Sequence, residues 1–356
     1  MREASARHDR DMQSILETFR GNGLFLRRRD LLALGHSDAQ IRNARRGGVI
    51  MRARQGWYCP SNAPPDAIRA VRVGGRLTGL SALKSYGHWT PETEALHVTV
   101  PADARALRSM NDMRVRRKPS DNQNCVVSWT DRAAERFDPC AWRVPVVDAL
   151  VHVLRTAERV TAIVCLDAAL HASDQGLEGI TSGQLEEIFA RAPQRVQSWR
   201  YDVDGRAGAG GETEFRLRCQ AAGLPFLPQP FLPGVGHADG QIGPHTYVEI
   251  DGGSAHDNFD AIETDRDRDA KSTVLGTRTL RIRYRMFRGK WHLCEAMLRQ
   301  ALAEDLALAK TTVKRYESPR WQAQKGSLDR KVRRFVEGRS GHETSSGAGR
   351  RSGARR

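Results

Sequence analysis

Tyr247-Val248-Glu249-Ile250-Asp251-Gly252 combines strand-forming side chains with a final glycine, a pattern that predicts a strand closed by a turn. Alternate residues of a strand share a face, so Glu249 and Asp251 are expected to point to the same side. Neighbouring carboxylates repel each other, and a divalent cation that prefers oxygen ligands, such as Mg²⁺ or Mn²⁺, relieves that repulsion. The pattern also fits the polar end of a strand in water.

Two further acidic residues and a histidine surround this predicted strand. Asp239 precedes it in a segment rich in glycine and histidine, and His256 follows the turn. Glu214 lies on a helix predicted over Glu212–Ala222, whose apolar residues share one face. Acidic residues at strand ends, next to a helix that carries another acid, are typical of compact metal-dependent nucleases.

A last strand is predicted over Thr279–Arg285, where apolar residues alternate with arginines. One of its faces is then apolar, and the other presents a row of arginines suited to phosphate groups, among them Arg281 and Arg283. The preceding helix is predicted over Asp260–Leu275, and it carries acids that serve either catalysis or salt bridges to these arginines. Those acids are Asp265 and Asp269, which lie one above the other on a helix.

The motifs of this region are Glu214-Phe-Arg-Leu-Arg218, Asp239, Val248-Glu-Ile-Asp-Gly252, His256, Asp265-Arg-Asp-Arg-Asp-Ala270, Leu275-Gly276 and Leu280-Arg281. In combination they resemble the C-terminal domain of a widespread bacterial family of uncharacterised function. That family is related to very short patch repair endonucleases and belongs to the PD-(D/E)xK nuclease fold. The resemblance covers about residues 211–300.

This resemblance implies a role for each of the polar residues. Asp239 and Glu249 would be the metal-binding acids, and Asp251 would stand where many such nucleases have a lysine, holding a second ion or orienting the water. Glu214 would be the acid of the first helix, and His256 the histidine beyond the turn, which relays a proton or binds phosphate. One departure concerns Asp239: the family has Arg-x-Asp followed by an apolar residue, and here a glycine follows the acid.

The N-terminal residues predict three helices and a hairpin, which is the order of a winged helix–turn–helix. The helices are expected over Met12–Arg20, over Arg27–Leu34, and from a cap at Ser37 or Asp38 to Arg46; the hairpin joins Val49–Arg54 to Gln55–Tyr58. Side chains suited to base edges and phosphates then lie on the recognition helix and the wing. They are Gln40, Arg42, Asn43, Arg45 and Arg46 on the helix, with Arg52 and Arg54 on the wing.

This segment is similar to the N-terminal domain of AbiEi-type antitoxins over about 50 residues. The likeness lies in Leu31-Leu-Ala-Leu-Gly35, Ile41, Arg45-Arg-Gly47 and Arg54-Gln-Gly-Trp-Tyr58. It implies a DNA-binding domain; a winged helix used for protein contacts is the alternative.

The formal net charge of +15 is concentrated at the two ends of the chain. Residues 1–60 hold 12 basic and 6 acidic residues, residues 314–356 hold 13 and 4, and the remainder is balanced at 32 of each. Basic ends attract a polyanion, and DNA or RNA is the expected partner; RNA processing is an interpretation that rests on this charge alone. The alternative is that the charge serves solubility alone.

The remaining composition is ordinary for a soluble protein. The longest apolar runs are too short to span a bilayer, and the N-terminus lacks the apolar core of a signal peptide, so we expect a cytoplasmic protein without a membrane contact. The six cysteines form no C-x-x-C pair, which argues against structural zinc, and Cys165 and Cys219 are expected to be reduced core thiols.

The sequence therefore predicts an α/β multidomain chain. Residues 1–60 would form the winged helix, 67–200 an α+β scaffold, 211–308 a restriction-endonuclease-like α/β domain, and 317–356 a disordered basic tail. Residues 61–66 are expected to be a linker and 201–211 a flexible joint. The histidines of the middle region, including His97 and His152, have no metal-ligand spacing and are expected to be structural.

Two functions follow from this organisation. The first is a DNA-binding protein whose C-terminal domain hydrolyses DNA phosphodiesters with Mg²⁺ or Mn²⁺, in repair or defence. The second is a non-catalytic DNA-binding regulator of the AbiEi-antitoxin type, with the C-terminal domain kept as a platform. The sequence leaves the recognised DNA and the oligomeric state open.

Overall fold

The protein, described here from a computed structural model, is a mixed α/β chain that divides into two compact units, Met1–Gly210 and Gly211–Arg356. The structure describes residues 2–130, 141–232, 235–251, 270–271 and 275–316. The helix predicted over 260–275 falls almost entirely outside these ranges, and so do His256, Asp265, Asp269 and the predicted tail.

The first unit begins with three helices and a small antiparallel sheet with the strand order β1-β3-β2. Its core is formed by apolar side chains from every one of these elements, such as Ile15, Leu31, Ile41 and Ile50. The predicted order of helices and hairpin is confirmed. The elements are α1 (Arg2–Asn22), β1 (Leu26–Arg27), α2 (Arg28–Ala33), α3 (Asp38–Arg46), β2 (Ile50–Arg54) and β3 (Trp57–Pro60).

The segment expected to be a linker is part of the fold. Ala63 is buried, and Pro65 starts helix α4 (Pro65–Val73), because a proline at the first helical position loses no hydrogen bond. Ala67 and Val71 of α4 pack with Phe25 in a second apolar cluster beneath the hairpin. The boundary expected near residue 60 therefore lies inside the first unit.

The rest of the first unit consists of a three-stranded sheet and four helices that share the largest apolar core. The sheet order is β4-β5-β6, with β4 antiparallel and β6 parallel to the central strand β5. The strands are β4 (Arg76–Leu77), β5 (Leu96–Pro101) and β6 (Cys125–Thr130), and the helices are α5 (Gly79–Ser85), α6 (Val146–Thr156), α7 (Arg159–Asp174) and α8 (Ser182–Ala190). Short 3-10 helices cover Pro119–Gln123 and Gln194–Asp202.

Helix α8 begins at the capping box predicted for it. The Thr181 hydroxyl accepts a hydrogen bond from the Gln184 N–H at 3.3 Å, and the Gln184 side chain accepts one from the Thr181 N–H at 2.9 Å. This arrangement satisfies two N–H groups that a helix start otherwise leaves unpaired.

The stretch expected to be a flexible joint is packed against the first unit. The Asp204 N–H donates to the Asp167 carboxylate at 2.7 Å, and a side chain on Gly210 would collide with the Trp89 ring at 2.1 Å. Helix α9 (Gly210–Ala221) begins at the end of this stretch.

The second unit places α9 and two further helices against a four-stranded sheet. The sheet order is β12-β11-β10-β7, and its long strands β11 and β12 run parallel. Phe215, Val248, Ile282, Phe287 and Leu298 form the centre of its core. The elements are β7 (Leu227–Pro228), β8 (Phe231–Leu232), β9 (Gly236–His237), β10 (Gly240–Gln241), β11 (Thr246–Asp251), β12 (Arg278–Arg283), α10 (Tyr284–Gly289) and α11 (Trp291–Tyr316).

The prediction for the last strand is wrong at its end. The expected strand ran to Arg285, whereas β12 stops at Arg283 and Tyr284 opens helix α10. The Tyr284 ring contacts Phe287 edge-on, with the ring centroids 5.2 Å apart, a contact between residues three apart that a helix provides and a strand does not.

None of the helices in the described ranges combines the length and the apolar composition needed to cross a membrane.

Candidate functional site

Helix α3 is fixed at its start by a capping box, and Ser37 is the capping residue. The Ser37 hydroxyl accepts a hydrogen bond from the Gln40 N–H at 3.2 Å, and the Gln40 side-chain oxygen accepts one from the Ser37 N–H at 2.8 Å. Gln40 was predicted to contact DNA; the structure places its carbonyl at the helix start, half-buried. Such a cap contributes about 1 kcal/mol to helix stability.

The outer face of α3 is basic and open. Ile41 and Ala44 are buried, which leaves Arg42, Asn43, Arg45 and Arg46 exposed to solvent. Within the described residues, neither Arg45 nor Arg46 has a hydrogen bond or an ion pair made by its side chain. These guanidinium groups are therefore available to an external anion.

The carboxylate at the start of α3 does not oppose this charge. Arg28 on α2 holds Asp38 through two hydrogen bonds, of which the bond from Nε to Oδ1 measures 2.8 Å. The hydrogen bonds from Arg28 hold the pKa of the Asp38 carboxyl below its usual value. The Arg28–Asp38 pair therefore carries no net charge next to the basic face of α3.

The two arginines predicted for the wing are packed more deeply than those of α3. Arg54 donates from Nη1 to the carbonyl of Arg72 at 3.3 Å, and burial lowers the pKa of its guanidinium. Gly74 makes room for Arg54, since a β-carbon there would lie 2.0 Å from Nη1, and its φ of 110° also favours glycine. Arg52 is half-buried, with an Nε that has no hydrogen-bond partner among the described residues. Of the predicted DNA contacts, Gln40 is held in the cap of α3 and Arg54 turns toward α4. The others on α3 share one open face, namely Arg42, Asn43, Arg45 and Arg46.

In the second unit, the structure brings Asp239 and Glu249 next to each other. Gly240 pairs with Val248 in the antiparallel register of β10 and β11, so the residue before Gly240 stands opposite the residue after Val248. Asp239 also accepts a hydrogen bond from the Ile250 N–H at 2.6 Å, which fixes its carboxylate at this strand pair. This register is consistent with the expectation that Asp239 and Glu249 lie side by side.

The same face of the sheet also carries arginines. In the parallel register of β11 and β12, Glu249 pairs with Arg281 and Asp251 pairs with Arg283. Val248 and Ile250, the apolar neighbours of Glu249 along β11, pack into the core, so the charged residues of both strands share the opposite face. Each acid therefore has an arginine as its neighbour, which reduces the repulsion between the two carboxylates without a metal.

Glu214 lies in a different environment from the strand acids. Its side chain on α9 is buried, and its Oε1 forms ion pairs with Arg218 at 3.0 Å and with Arg288 at 3.4 Å. Tyr284 donates to Oε2 at 3.4 Å, and burial together with the charge of Glu214 raises the pKa of the Tyr284 hydroxyl. Two guanidinium groups thus balance the carboxylate, which ties α9 to α10.

A complete metal site is not formed by the described residues. Among them, no group of three or more histidine, cysteine, aspartate or glutamate side chains is arranged to hold a metal ion. Asp239 and Glu249 supply two oxygen donors of the kind that Mg²⁺ binds. The predicted third participant, His256, lies outside the described ranges.

The buried cysteines offer no nucleophile. Burial raises the pKa of the Cys165 thiol and of the Cys219 thiol to about 12, so both are protonated and unreactive at neutral pH. This agrees with their expected role as reduced core residues.

A polar cluster in the first unit was missed by sequence reasoning. His97 on β5 and His152 on α6 meet with their ring centroids 6.4 Å apart. Burial lowers the pKa of His97, and burial together with His97 and Arg155 lowers the pKa of His152 to about 4, so His152 is neutral at physiological pH. The available signal was the spacing of Asp148, His152 and Arg155 along one stripe of α6, at positions i, i+4 and i+7.

Comparisons with known proteins assign no family to this chain. Neither known protein families nor curated proteins give a match. Among solved structures, the chain is similar to the crystal structure of the RV2827C protein from Mycobacterium tuberculosis, with 16% sequence identity over 58% of this chain and 75% of that chain, and a TM-score of 0.27. A TM-score this low assigns neither a fold nor an activity.

Proposed function

We propose that the protein binds double-stranded DNA through α3. The observation that carries the proposal is the open basic face of this helix, on which Arg45 and Arg46 have no partner within the described residues. Arg42 adds a third cation, and the capping box at Ser37 holds the helix start in place. A guanidinium group donates two parallel hydrogen bonds, and this bidentate geometry matches both phosphate oxygens and the edge of guanine. The resemblance of this segment to the N-terminal domain of AbiEi-type antitoxins supports the same reading.

The second unit would act on the bound DNA as a metal-dependent phosphodiesterase of the PD-(D/E)xK type. Asp239 and Glu249 would hold Mg²⁺ or Mn²⁺, which when bound supplies a Lewis acid for phosphate and for the attacking water. Asp251 would orient that water, and Arg281 and Arg283 would contact the phosphates on either side of the cleaved bond. Glu214 would act as a positioning residue, because its carboxylate is already balanced by Arg218 and Arg288.

A non-catalytic DNA-binding regulator is the second candidate function. The register that places Arg281 beside Glu249 and Arg283 beside Asp251 favours it, because paired charges need no metal for their stability. On this reading the face of charged residues is a platform for another molecule.

Cleavage of supercoiled plasmid and of short duplexes, with Mg²⁺, Mn²⁺ or EDTA, distinguishes the two functions. The nuclease predicts metal-dependent nicking that is lost in Asp239→Asn and in Glu249→Gln, while both variants still bind DNA. Glu92→Gln, which changes an exposed acid in the first unit, is the matched control and retains nicking.

Three outcomes have separate meanings in this experiment. Nicking that persists in Glu249→Gln contradicts the assigned acids. Tight binding without nicking under any metal leaves the regulator as the function. Absence of DNA binding by the intact protein refutes the proposal for α3.

A further inference from the structure

A pocket of about 660 Å³ opens in the first unit between the sheet β4-β5-β6 and helix α6. This volume lies within the range of small-molecule sites, which hold a few convergent polar groups. Thr78, Thr99, Ser128 and Thr130 line it from the sheet side, where alternate residues of β5 and β6 present their side chains to one face. The facing side of α6 contributes four polar residues to the pocket: Asp148, His152, Arg155 and Thr156.

Two threonines that line this pocket are largely buried, and their hydroxyl groups have no hydrogen-bond partner within the described residues. Thr78 is 3% exposed and Thr99 is 7% exposed. Thr78 precedes α5 without capping it, and within the described residues the hydroxyl of neither threonine takes part in a hydrogen bond. A hydroxyl that faces a pocket without a protein partner can exchange a hydrogen bond to water for one to a ligand.

The charged groups of the pocket leave its interior nearly neutral. Asp148 is engaged in a salt bridge with Arg191, which also binds Glu187 at 3.0 Å. His152 is uncharged at neutral pH, so its ring offers one donor and one acceptor. The interior therefore suits hydroxyl and amide groups rather than a bare ion.

The rim of the pocket adds an aromatic face and a cation. Trp129, near the end of the edge strand β6, lines the pocket and is 54% exposed, so its indole is open to a stacking partner. Arg155 is exposed on the last turn of α6; its Nη2 donates to the Arg191 carbonyl at 3.2 Å, and its remaining N–H groups can receive an anionic group.

We propose that this pocket binds a nucleoside monophosphate. Such a ligand joins a flat base, which stacks on Trp129, to ribose hydroxyls, which pair with Thr78, Thr99 and Ser128, and to a phosphate, which meets Arg155. This site is separate from the DNA-binding face of α3 and does not depend on the function proposed for it.

Isothermal titration of the full-length protein with AMP, GMP, CMP and UMP tests the proposal. At least one of them binds with one-to-one stoichiometry and a Kd below about 1 mM. Thr78→Val and Thr99→Val each weaken this binding by about tenfold and leave thermal stability nearly unchanged, because neither hydroxyl group has a hydrogen bond within the described residues to lose. Trp129→Ala weakens the binding and abolishes the fluorescence change that accompanies it.

Arg155→Gln separates recognition of the phosphate from recognition of the rest of the ligand. In the unaltered protein the matching nucleoside binds about tenfold more weakly than its monophosphate, and in Arg155→Gln this difference disappears. Arg105→Gln, a change of an exposed arginine outside the pocket, keeps the difference. Since Arg155 is exposed, its replacement leaves the fold intact and keeps the test valid if a threonine variant unfolds.

Several results would overturn the proposal. One is the absence of binding by all four monophosphates at millimolar concentration. Another is equal affinity for inorganic phosphate or for ribose 5-phosphate, which would mean that no base is recognised. Binding of oligonucleotides alone, without any mononucleotide, would assign the pocket to a nucleic-acid surface instead.

Discussion

Replacement of Asp305 by alanine is expected to destabilise the second unit strongly. Asp305 on α11 is 1% exposed, and its carboxylate accepts hydrogen bonds from the His245 N–H at 2.9 Å and from the Thr246 hydroxyl at 3.0 Å. It also forms an ion pair with Arg278 at 3.2 Å. These contacts join α11 to the starts of β11 and β12, the two strands that carry the candidate acids and arginines.

The expected loss follows from these contacts. Asp305→Ala removes a charged acceptor from the His245 N–H and from the Thr246 hydroxyl, and each such hydrogen bond is worth about 1.5–3 kcal/mol. The ion pair adds less, because Arg278 is 37% exposed. Arg278 offers an internal comparison, since its guanidinium also pairs with Glu304 on the same helix. The Glu304 side chain is 47% exposed, so Glu304→Ala should cost much less than Asp305→Ala.

Hydrogen exchange read by mass spectrometry separates the two units in one experiment. Some amides of β11 exchange only when the second unit opens. In Asp305→Ala these amides should exchange more than about a hundredfold faster than in the unaltered protein, which corresponds to a loss of about 3 kcal/mol. Peptides of the first unit should not change, and Glu304→Ala should alter β11 less than about fivefold. Equal effects of the two variants would refute the reasoning, because they would show that burial does not set the strength of this network.

Three further outcomes are expected. Arg45→Ala and Arg46→Ala should each lower the slope of log affinity for DNA against log salt by about 0.9, as measured by fluorescence anisotropy; Arg69→Ala, an exposed arginine of α4, should leave it unchanged. Because the pKa of His152 is lowered to about 4 in the fold, the unfolded chain takes up a proton first, and stability should fall by up to about 3 kcal/mol as pH decreases from 6.5 to 4, less so in His152→Gln. Ser37→Ala should cost about 1 kcal/mol in urea unfolding of the first unit.

Local signals in the sequence were sufficient for many elements of the fold. Ser37 with Gln40 and Thr181 with Gln184 each predicted a helix start, and both capping boxes are present. The alternation around Glu249 predicted β11, which extends by one residue to Thr246. These predictions succeeded because the interactions concerned span four residues or fewer.

Features that depend on distant partners were outside the reach of such signals. The alternation Leu280, Ile282, Tyr284 predicted a longer strand, whereas Tyr284 opens a helix and its hydroxyl donates to Glu214, 70 positions earlier in the sequence. His97 and His152 are 55 positions apart in the sequence, and neither has neighbours that reveal the other. The arginine neighbours of Glu249 and Asp251 likewise depend on strand register, which the sequence of one strand does not contain.

Asp305 and its partner His245 are 60 positions apart in the sequence, and this separation affects how the second unit folds during synthesis. His245 leaves the ribosome 60 residues before Asp305, an interval of roughly 3 to 12 s at ordinary rates of translation. For that time β11 lacks the helix that anchors its first residue, and for part of it the strand also lacks β12 as a neighbour. An unpaired strand edge on a nascent chain is a site for pairing with other chains, so the second unit is where slow translation or a missing chaperone should first produce aggregates.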